Sequence, residues 1–264
     1  MKAMITRADD YGSSHAANIA IAEAAAAGFI KNVSVMACGP FLAEAAEQLA
    51  KDKNICFGLH GCINSEWDRT GWGPVAPREK VSTLIDERGL FYQNPSIFQM
   101  FKPDLAEIIT EYQYQLERAR NIGFDIKYMD SHMFPENYIP GLQEKMSRMI
   151  EKEGLLDHIW FNHILEEGSW KAQPLMHFTQ VLPNINGQVL LILHPARDSE
   201  EMRMTGNKEA CGETVAIDRE KDYQIAADVK NVKICEKHGI SLLRYDEAKK
   251  LEKPYEVKWI RLSE

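Results

Sequence analysis

Two adjacent aspartates, Asp9 and Asp10, stand near the start of the chain, directly after an apolar stretch that predicts a short buried strand over residues 3–8. Neighbouring carboxylates repel each other and resist joint ionisation unless a cation or several hydrogen-bond donors relieve them. Gly12 follows, and glycine permits a tight turn at this point. The same residues also suit an ordinary polar turn in which an aspartate caps the next helix, so this stretch alone leaves both interpretations open.

Histidines follow several other predicted strands in the same way. Four of the eight are placed so: His60, His132, His163 and His194. Because the carboxyl ends of parallel strands meet on one side of a sheet, we expect them to lie near the aspartate pair. A single histidine in this position is often only a packed polar residue. One carboxylate with two imidazoles, however, is a common ligand set for a catalytic divalent metal, and a second aspartate would be free to act as a base.

The elements that must position these side chains alternate along the chain. Strands are predicted at residues 3–8, 33–37, 55–59, 126–129, 158–163, 188–193 and 240–243. Helices are predicted at residues 15–28, 41–51, 103–123, 141–153, 170–182, 219–238 and 245–251. This order predicts a parallel sheet covered by helices, either barrel-like or doubly wound. Residues 61–100 show no periodicity but contain aromatic residues, which favours a functional loop over a disordered one.

Composition narrows the class of protein. The 264 residues are 45% hydrophobic and 27% charged, as in an ordinary globular protein, and we expect a single domain over residues 1–264. The net charge of −8 argues against a nucleic-acid or membrane-surface partner. Five cysteines without a CxxC pair argue against a disulfide scaffold or a zinc ribbon. The sequence shows no secretory signal or apolar span, so we expect a cytoplasmic protein, with a homodimer possible on base rates.

Several short motifs together resemble a known family. Residues 8–12 (ADDYG) resemble the ADDxG opening of the YdjC-like carbohydrate deacetylases, which include chitooligosaccharide deacetylases and are related to polysaccharide deacetylases. Further matches follow in order at residues 18–24 (NIAIAEA), 39–41 (GPF), 58–60 (GLH), 130–132 (DSH) and 194–195 (HP). The resemblance covers nearly the whole chain. It implies an α/β fold, namely a distorted or incomplete (β/α) barrel with parallel strands and outer helices.

The resemblance also implies an activity and a set of site residues. The activity is metal-dependent hydrolysis that removes acetyl groups from N-acetylated mono- or oligosaccharides. Carried over to this sequence, Asp10, His60 and His132 bind the divalent metal, which is Mg²⁺ or Zn²⁺. In the same family pattern Asp9 is the general base and His194 is a candidate general acid.

The chain departs from the family pattern around these motifs. It reads DSHMFP where the family has DSHxHxH, GLHGCIN in place of GLHLNLT, and HPA in place of HPG. These departures predict a different sugar pocket. Candidate substrate contacts are Tyr11, Trp67, Trp72 and Arg197. Their aromatic rings could stack on a sugar and the arginine could orient a hydroxyl or phosphate group, although the tryptophans could equally pin the loop and the arginine could face solvent.

Two other functions fit the same residues. A metal-dependent phosphoesterase or amidohydrolase would use similar strand ends, but such sites usually hold two metals with more ligands. A catalytically silent sugar-binding relative would keep the fold, and the missing histidines after His132 are compatible with it.

Overall fold

A parallel sheet forms the centre of the computed structural model, which describes residues 2–161, 163, 164 and 179–254. In the described ranges the strands are β1 (Lys2–Tyr11), β2 (Asn32–Val35), β3 (Cys56–Gly61), β4 (Ile126–Ser131), β5 (Leu156–Asp157), β6 (His163–Ile164), β7 (Gln188–Leu193) and β8 (Ile240–Leu243). Their order is β5-β4-β3-β2-β1-β7-β6, and β8 also pairs with β1. Every pairing between these strands is parallel.

The long strand β1 organises the sheet. One side of β1 pairs with β7 from Ala3 to Ala8. The other side pairs first with β8, over Lys2 to Ile5, and then with β2, from Arg7 onward. Among the described residues no pairing joins the outer strands β5 and β6, so the sheet does not close on itself. This arrangement confirms the predicted incomplete (β/α) barrel.

Helices cover the sheet. In the described ranges they are α1 (His15–Ala27), α2 (Leu42–Leu49), α3 (Phe98–Phe101), α4 (Leu105–Asn121), α5 (Leu142–Lys152), α6 (Glu200–Arg203), α7 (Gly212–Ala227) and α8 (Lys230–Lys237). The start of α1 is set by Ser14, whose side chain accepts a hydrogen bond from the Ala17 N–H, and Gly28 ends it in a left-handed conformation. No helix in these ranges is long and apolar enough to cross a membrane.

Most predicted elements are present, but three differ. The predicted strand 158–163 is two short strands separated by a single 3₁₀ turn at His158–Trp160. The predicted helix 219–238 is two helices, because the backbone is extended at Asp228, and the first of them already begins at Gly212. The predicted final helix is only a 3₁₀ turn at Tyr245–Glu247. Most of the predicted helix 170–182 lies outside the described residues.

Candidate functional site

A bulge in β1 brings Asp9 and Asp10 to the same cavity. Between Ala8 and Tyr11 this strand has two residues where β2 has one, and Asp10 has a φ of 68°. Adjacent side chains of a regular strand point to opposite faces, but an extra residue breaks that alternation. Both carboxylates therefore line one cavity of about 370 Å³ at the carboxyl end of the sheet.

Asp10 forms a compact group with two imidazoles. Its Oδ1 atom is 3.5 Å from His60 Nε2 and 3.3 Å from His132 Nδ1, and these two nitrogens are 3.1 Å apart. All three residues are buried. Among the described residues, Oδ1 of Asp10 has no hydrogen-bond partner, which is costly for a buried oxygen.

The spacing of these donors fits a metal ion. Around an ion with bonds of about 2.0–2.1 Å, neighbouring ligand atoms lie about 3.3 Å apart in a tetrahedron and about 2.9 Å apart in an octahedron. The observed distances of 3.1–3.5 Å lie nearer the tetrahedral value. Together with the unpartnered oxygen of Asp10, they make this group suitable for a divalent ion.

Carboxylates stand behind both imidazoles and fix which nitrogen faces Asp10. Asp130 contacts Nδ1 of His60, and Glu66 Oε2 is 2.9 Å from Nε2 of His132. Metal-binding histidines commonly donate their other N–H to such a carboxylate. Burial alone would lower the pKa of His60, but Asp130 and Asp9 outweigh it and raise the pKa to about 10. A metal cation would compete with that proton.

Arg7 clamps Asp9 from behind. Its Nε and Nη2 atoms donate to the two oxygens of Asp9, both at 2.7 Å, and its Nη1 atom is 2.8 Å from Asp130 Oδ2. A second possible ligand group within the described residues consists of Asp9, His60 and Asp130. Because the Arg7 guanidinium already supplies the cation there, the geometry supports one ion rather than two.

Arg219, on α7, pairs with the other aspartate. Its Nη1 atom is 2.7 Å from Asp10 Oδ2, and its guanidinium lies 5.9 Å from the centre of the Trp67 ring. Burial alone would raise the pKa of Asp10, but Arg219 and the two imidazoles hold it well below its usual value. Asp10 thus presents one oxygen to an arginine and the other to the imidazoles.

His194 lies at the end of β7 and lines the same cavity. Asp222 Oδ2 accepts a hydrogen bond from the His194 backbone N–H at 2.8 Å and lies 3.8 Å from its Nδ1 atom. Burial and, to a smaller extent, Arg219 lower the pKa of His194, although Asp10 and Asp222 oppose this. A histidine so placed can exchange a proton with a ligand in the cavity.

The predicted substrate contacts do not all reach the site. Trp67 lines the main cavity and an adjoining one of about 160 Å³, which Trp72 also lines. Tyr11 is fully buried and donates its hydroxyl to the Ala45 carbonyl, so it cannot stack on a ligand. Arg197 pairs at the surface with Glu23 and Glu220 rather than at the site. The side chain of His163 lies outside what the structure describes.

Glu66, Arg219 and Asp222 were not predicted from the sequence as site residues, and no role was predicted for Arg7 or Asp130. Glu66 lies in the long irregular segment, where no periodicity indicates its direction. Arg219 and Asp222 lie three residues apart on α7, so they share a face of that helix. Their spacing was the available signal, but a polar pair on a helix is common in solvent-facing positions.

The fold and the site together place the protein in a class: open α/β barrels with an Asp-His-His group at the carboxyl end of their strands. The family model described as "YdjC-like protein" matches residues 3–237, so the chain belongs to the YdjC-like family. This confirms the family that the motifs indicated.

Individual relatives agree with this assignment. The chain is 28% identical over 138 residues to a carbohydrate deacetylase of Thermoanaerobacter pseudethanolicus, covering 52% of this chain and 53% of that one. It is 30% identical over 132 residues to a carbohydrate deacetylase of Enterococcus faecalis, covering 50% and 48%. The chain therefore spans about half the length of the curated relatives it matches.

A solved structure supports the fold. A protein of Enterococcus faecalis V583, named for a proposed role in cellobiose-phosphate cleavage, superposes with a TM-score of 0.76 at 21% identity. The match covers 93% of this chain and 98% of that one. At this identity the similarity establishes the shared architecture.

Proposed function

We propose that this protein is a metal-dependent carbohydrate deacetylase, a hydrolase that removes acetyl groups from N-acetylated mono- or oligosaccharides. One observation carries the proposal: the buried Asp10–His60–His132 group with its unpartnered oxygen lies beside a separately clamped Asp9 in one cavity. The name carbohydrate deacetylase, which the curated relatives bear, supports the same reaction.

Asp10, His60 and His132 would hold the ion, which would act as a Lewis acid on the acyl oxygen and lower the pKa of water. Two imidazole ligands favour Zn²⁺ over Mg²⁺. The donor distances of 3.1–3.5 Å support the same choice, since they lie nearer a tetrahedral than an octahedral arrangement. We therefore propose Zn²⁺ as the ion.

Asp9 is the proposed general base. Each of its oxygens accepts one hydrogen bond from Arg7, and a carboxylate oxygen has two lone pairs. A lone pair therefore remains for the cavity that Asp9 lines. Asp9 takes a proton from the attacking water as the new carbon–oxygen bond forms, a role that typically contributes ~10²–10⁴-fold in rate.

His194 is the proposed general acid. It gives a proton to the amine nitrogen of the sugar as the carbon–nitrogen bond breaks, and acetate leaves as the second product. Its lowered pKa makes the protonated ring a stronger proton donor. Asp222 holds the backbone of His194 and lies near its Nδ1 atom, so it positions the ring.

The five free cysteines support a cytoplasmic location, which we also propose. Thiols persist in reducing compartments, whereas secreted proteins tend to form disulfides.

Acetate release from a panel of N-acetylated sugars tests the activity. The panel contains N-acetylglucosamine, its oligomers and their phosphorylated forms, each with and without chelator and after Zn²⁺ or Mg²⁺ is returned. We expect release that the chelator abolishes and the ion restores, and Asp9→Asn protein serves as the matched control. No release from any sugar by the metal-loaded protein would contradict the proposal. Two bound ions per chain with release of phosphate would favour a phosphoesterase.

A further inference from the structure

Arg219 uses only part of its hydrogen-bonding capacity. Among the described residues it makes one hydrogen bond, from Nη1 to Asp10 Oδ2. A guanidinium carries five N–H donors. None of its nitrogens is among the fully buried polar atoms without a partner, so the nitrogens without a partner keep some accessible surface.

The position of Arg219 directs those donors into the site. Its side chain is only 13% exposed and lines both the main cavity and the smaller one beside it. The ion pair with Asp10 and the nearby ring of Trp67 hold the guanidinium in place. Because Arg219 binds Asp10 and lines the main cavity together with His60 and His132, its guanidinium lies beside the proposed metal ligands.

We propose that Arg219 is a further catalytic residue, whose free N–H groups donate to the acyl oxygen of the substrate and, after hydrolysis, to a carboxylate oxygen of acetate. This inference rests on the proposed function. Negative charge develops on the acyl oxygen as the water oxygen adds to the carbonyl carbon. Donors that are already oriented stabilise that charge without reorganisation.

The surrounding charges favour an acyl oxygen over a phosphate group as the acceptor. Four carboxylates line the main cavity with Arg219: those of Asp9, Asp10, Glu66 and Glu209. They would repel a dianionic phosphate more than a neutral acyl group, although Arg7 and Arg219 partly offset the charges of Asp9 and Asp10. A neutral acetamide, or the single charge of acetate, meets less repulsion.

The Arg219→Lys variant separates contact with the acyl group from support of Asp10. Lysine keeps a cation for Asp10 but lacks the planar fork that can serve two acceptors at once. At saturating metal we expect kcat to fall by about 10²-fold with little change in KM. Acetate should bind to the metal-loaded protein about 10-fold more weakly. The affinity for the metal should stay within about 3-fold of the wild-type value, because the charge beside Asp10 is retained.

Two further variants complete the experiment. Arg219→Gln should lose metal affinity as well as turnover, because Asp10 loses its cation. Arg120→Gln removes an exposed arginine that pairs with Glu153 on another part of the surface, and should change none of the three quantities.

Three outcomes would overturn the assignment. The first is wild-type kcat and acetate affinity in Arg219→Lys. The second is a loss of metal affinity in that variant as large as its loss of turnover. The third is a wild-type protein that shows no saturable acetate binding. The acetate titration, followed by calorimetry, decides the role of Arg219 even if no sugar of the panel is deacetylated, so failure of the two proposals can be told apart.

Discussion

The two adjacent aspartates of β1 are each paired with an arginine, but in different ways. Arg7 is fully buried and binds both oxygens of Asp9 as well as Asp130. Arg219 faces a cavity and binds one oxygen of Asp10. The first arrangement engages both oxygens of a carboxylate and fixes its orientation, whereas the second engages only one oxygen.

This difference explains how neighbouring residues can have separate roles. The pair Asp9–Arg7 belongs to a buried ionic network that also reaches the Tyr245 hydroxyl. The pair Asp10–Arg219 borders the main cavity, next to the two imidazoles. The bulge with its left-handed residue at Asp10 allows both carboxylates to face one cavity.

Loss of Arg7 should have the largest effect on stability. Arg7→Met leaves Asp9 and Asp130 buried without their cation, and breaking such a pair typically costs about 3–5 kcal/mol. The matched Arg219→Met variant should cost less, about 1–3 kcal/mol, because Arg219 serves one carboxylate and borders the cavities, where water can take its place, whereas Arg7 is fully buried and serves two. Urea unfolding of both variants with chelator present measures the two values. Equal losses of unfolding free energy would show that the two arginines do not differ in their contribution to stability.

The buried carboxylate of Glu136 sharpens the comparison. The hydroxyl of Ser131 donates to it, and burial raises the pKa of Glu136 to about 7. Since its pKa is higher in the folded state than in the unfolded one, the stability it contributes is present below about pH 4.5 and is lost as the pH rises through 7.

The Glu136→Gln variant carries a neutral side chain, so its comparison with the wild type isolates the titration of Glu136. Relative to Glu136→Gln, wild-type protein should lose roughly 2–3 kcal/mol of unfolding free energy between pH 5 and pH 8. Urea unfolding at the two pH values measures the difference. A difference between the two proteins that does not change with pH would mean that Glu136 stays ionised throughout.

Replacement of Glu66 should weaken metal binding by Asp10 and the imidazoles and leave the Asp9–Arg7 pair unchanged. Removing its charge in Glu66→Gln loosens the orientation of His132, and such changes typically weaken metal binding 10–100-fold. Metal titration by calorimetry gives the affinity. Glu144→Gln, which alters an exposed glutamate paired with Arg148, is the control. Unchanged metal affinity in the Glu66 variant would remove His132 from the proposed ligands.

The sequence predicted the parts of the site that depend on strand ends. Asp9, Asp10, His60, His132 and His194 follow predicted strands, and a parallel sheet gathers those ends at one edge. Glu66 could not be placed because the direction of its side chain depends on how a long irregular segment packs.

Tyr11 shows the limit of strand periodicity. Tyr11 was a candidate for contact with a sugar because of its aromatic ring, and in a regular strand it would share a face with Asp9. The bulge shifts the alternation, and Tyr11 packs in the core beside Phe124. A one-residue irregularity of this kind depends on pairing with β2, which the sequence does not display.

The separation of roles between the two aspartates is the central claim, and metal titration of two matched variants tests it most directly. Asp9→Asn should bind one ion per chain with an affinity close to that of the wild type, because both oxygens of Asp9 are engaged by Arg7 and Asp9 is not one of the three proposed ligands. Asp10→Asn should lose the ion, because it removes the charge that His60 and His132 face. Loss of metal in Asp9→Asn together with full retention in Asp10→Asn would contradict the account.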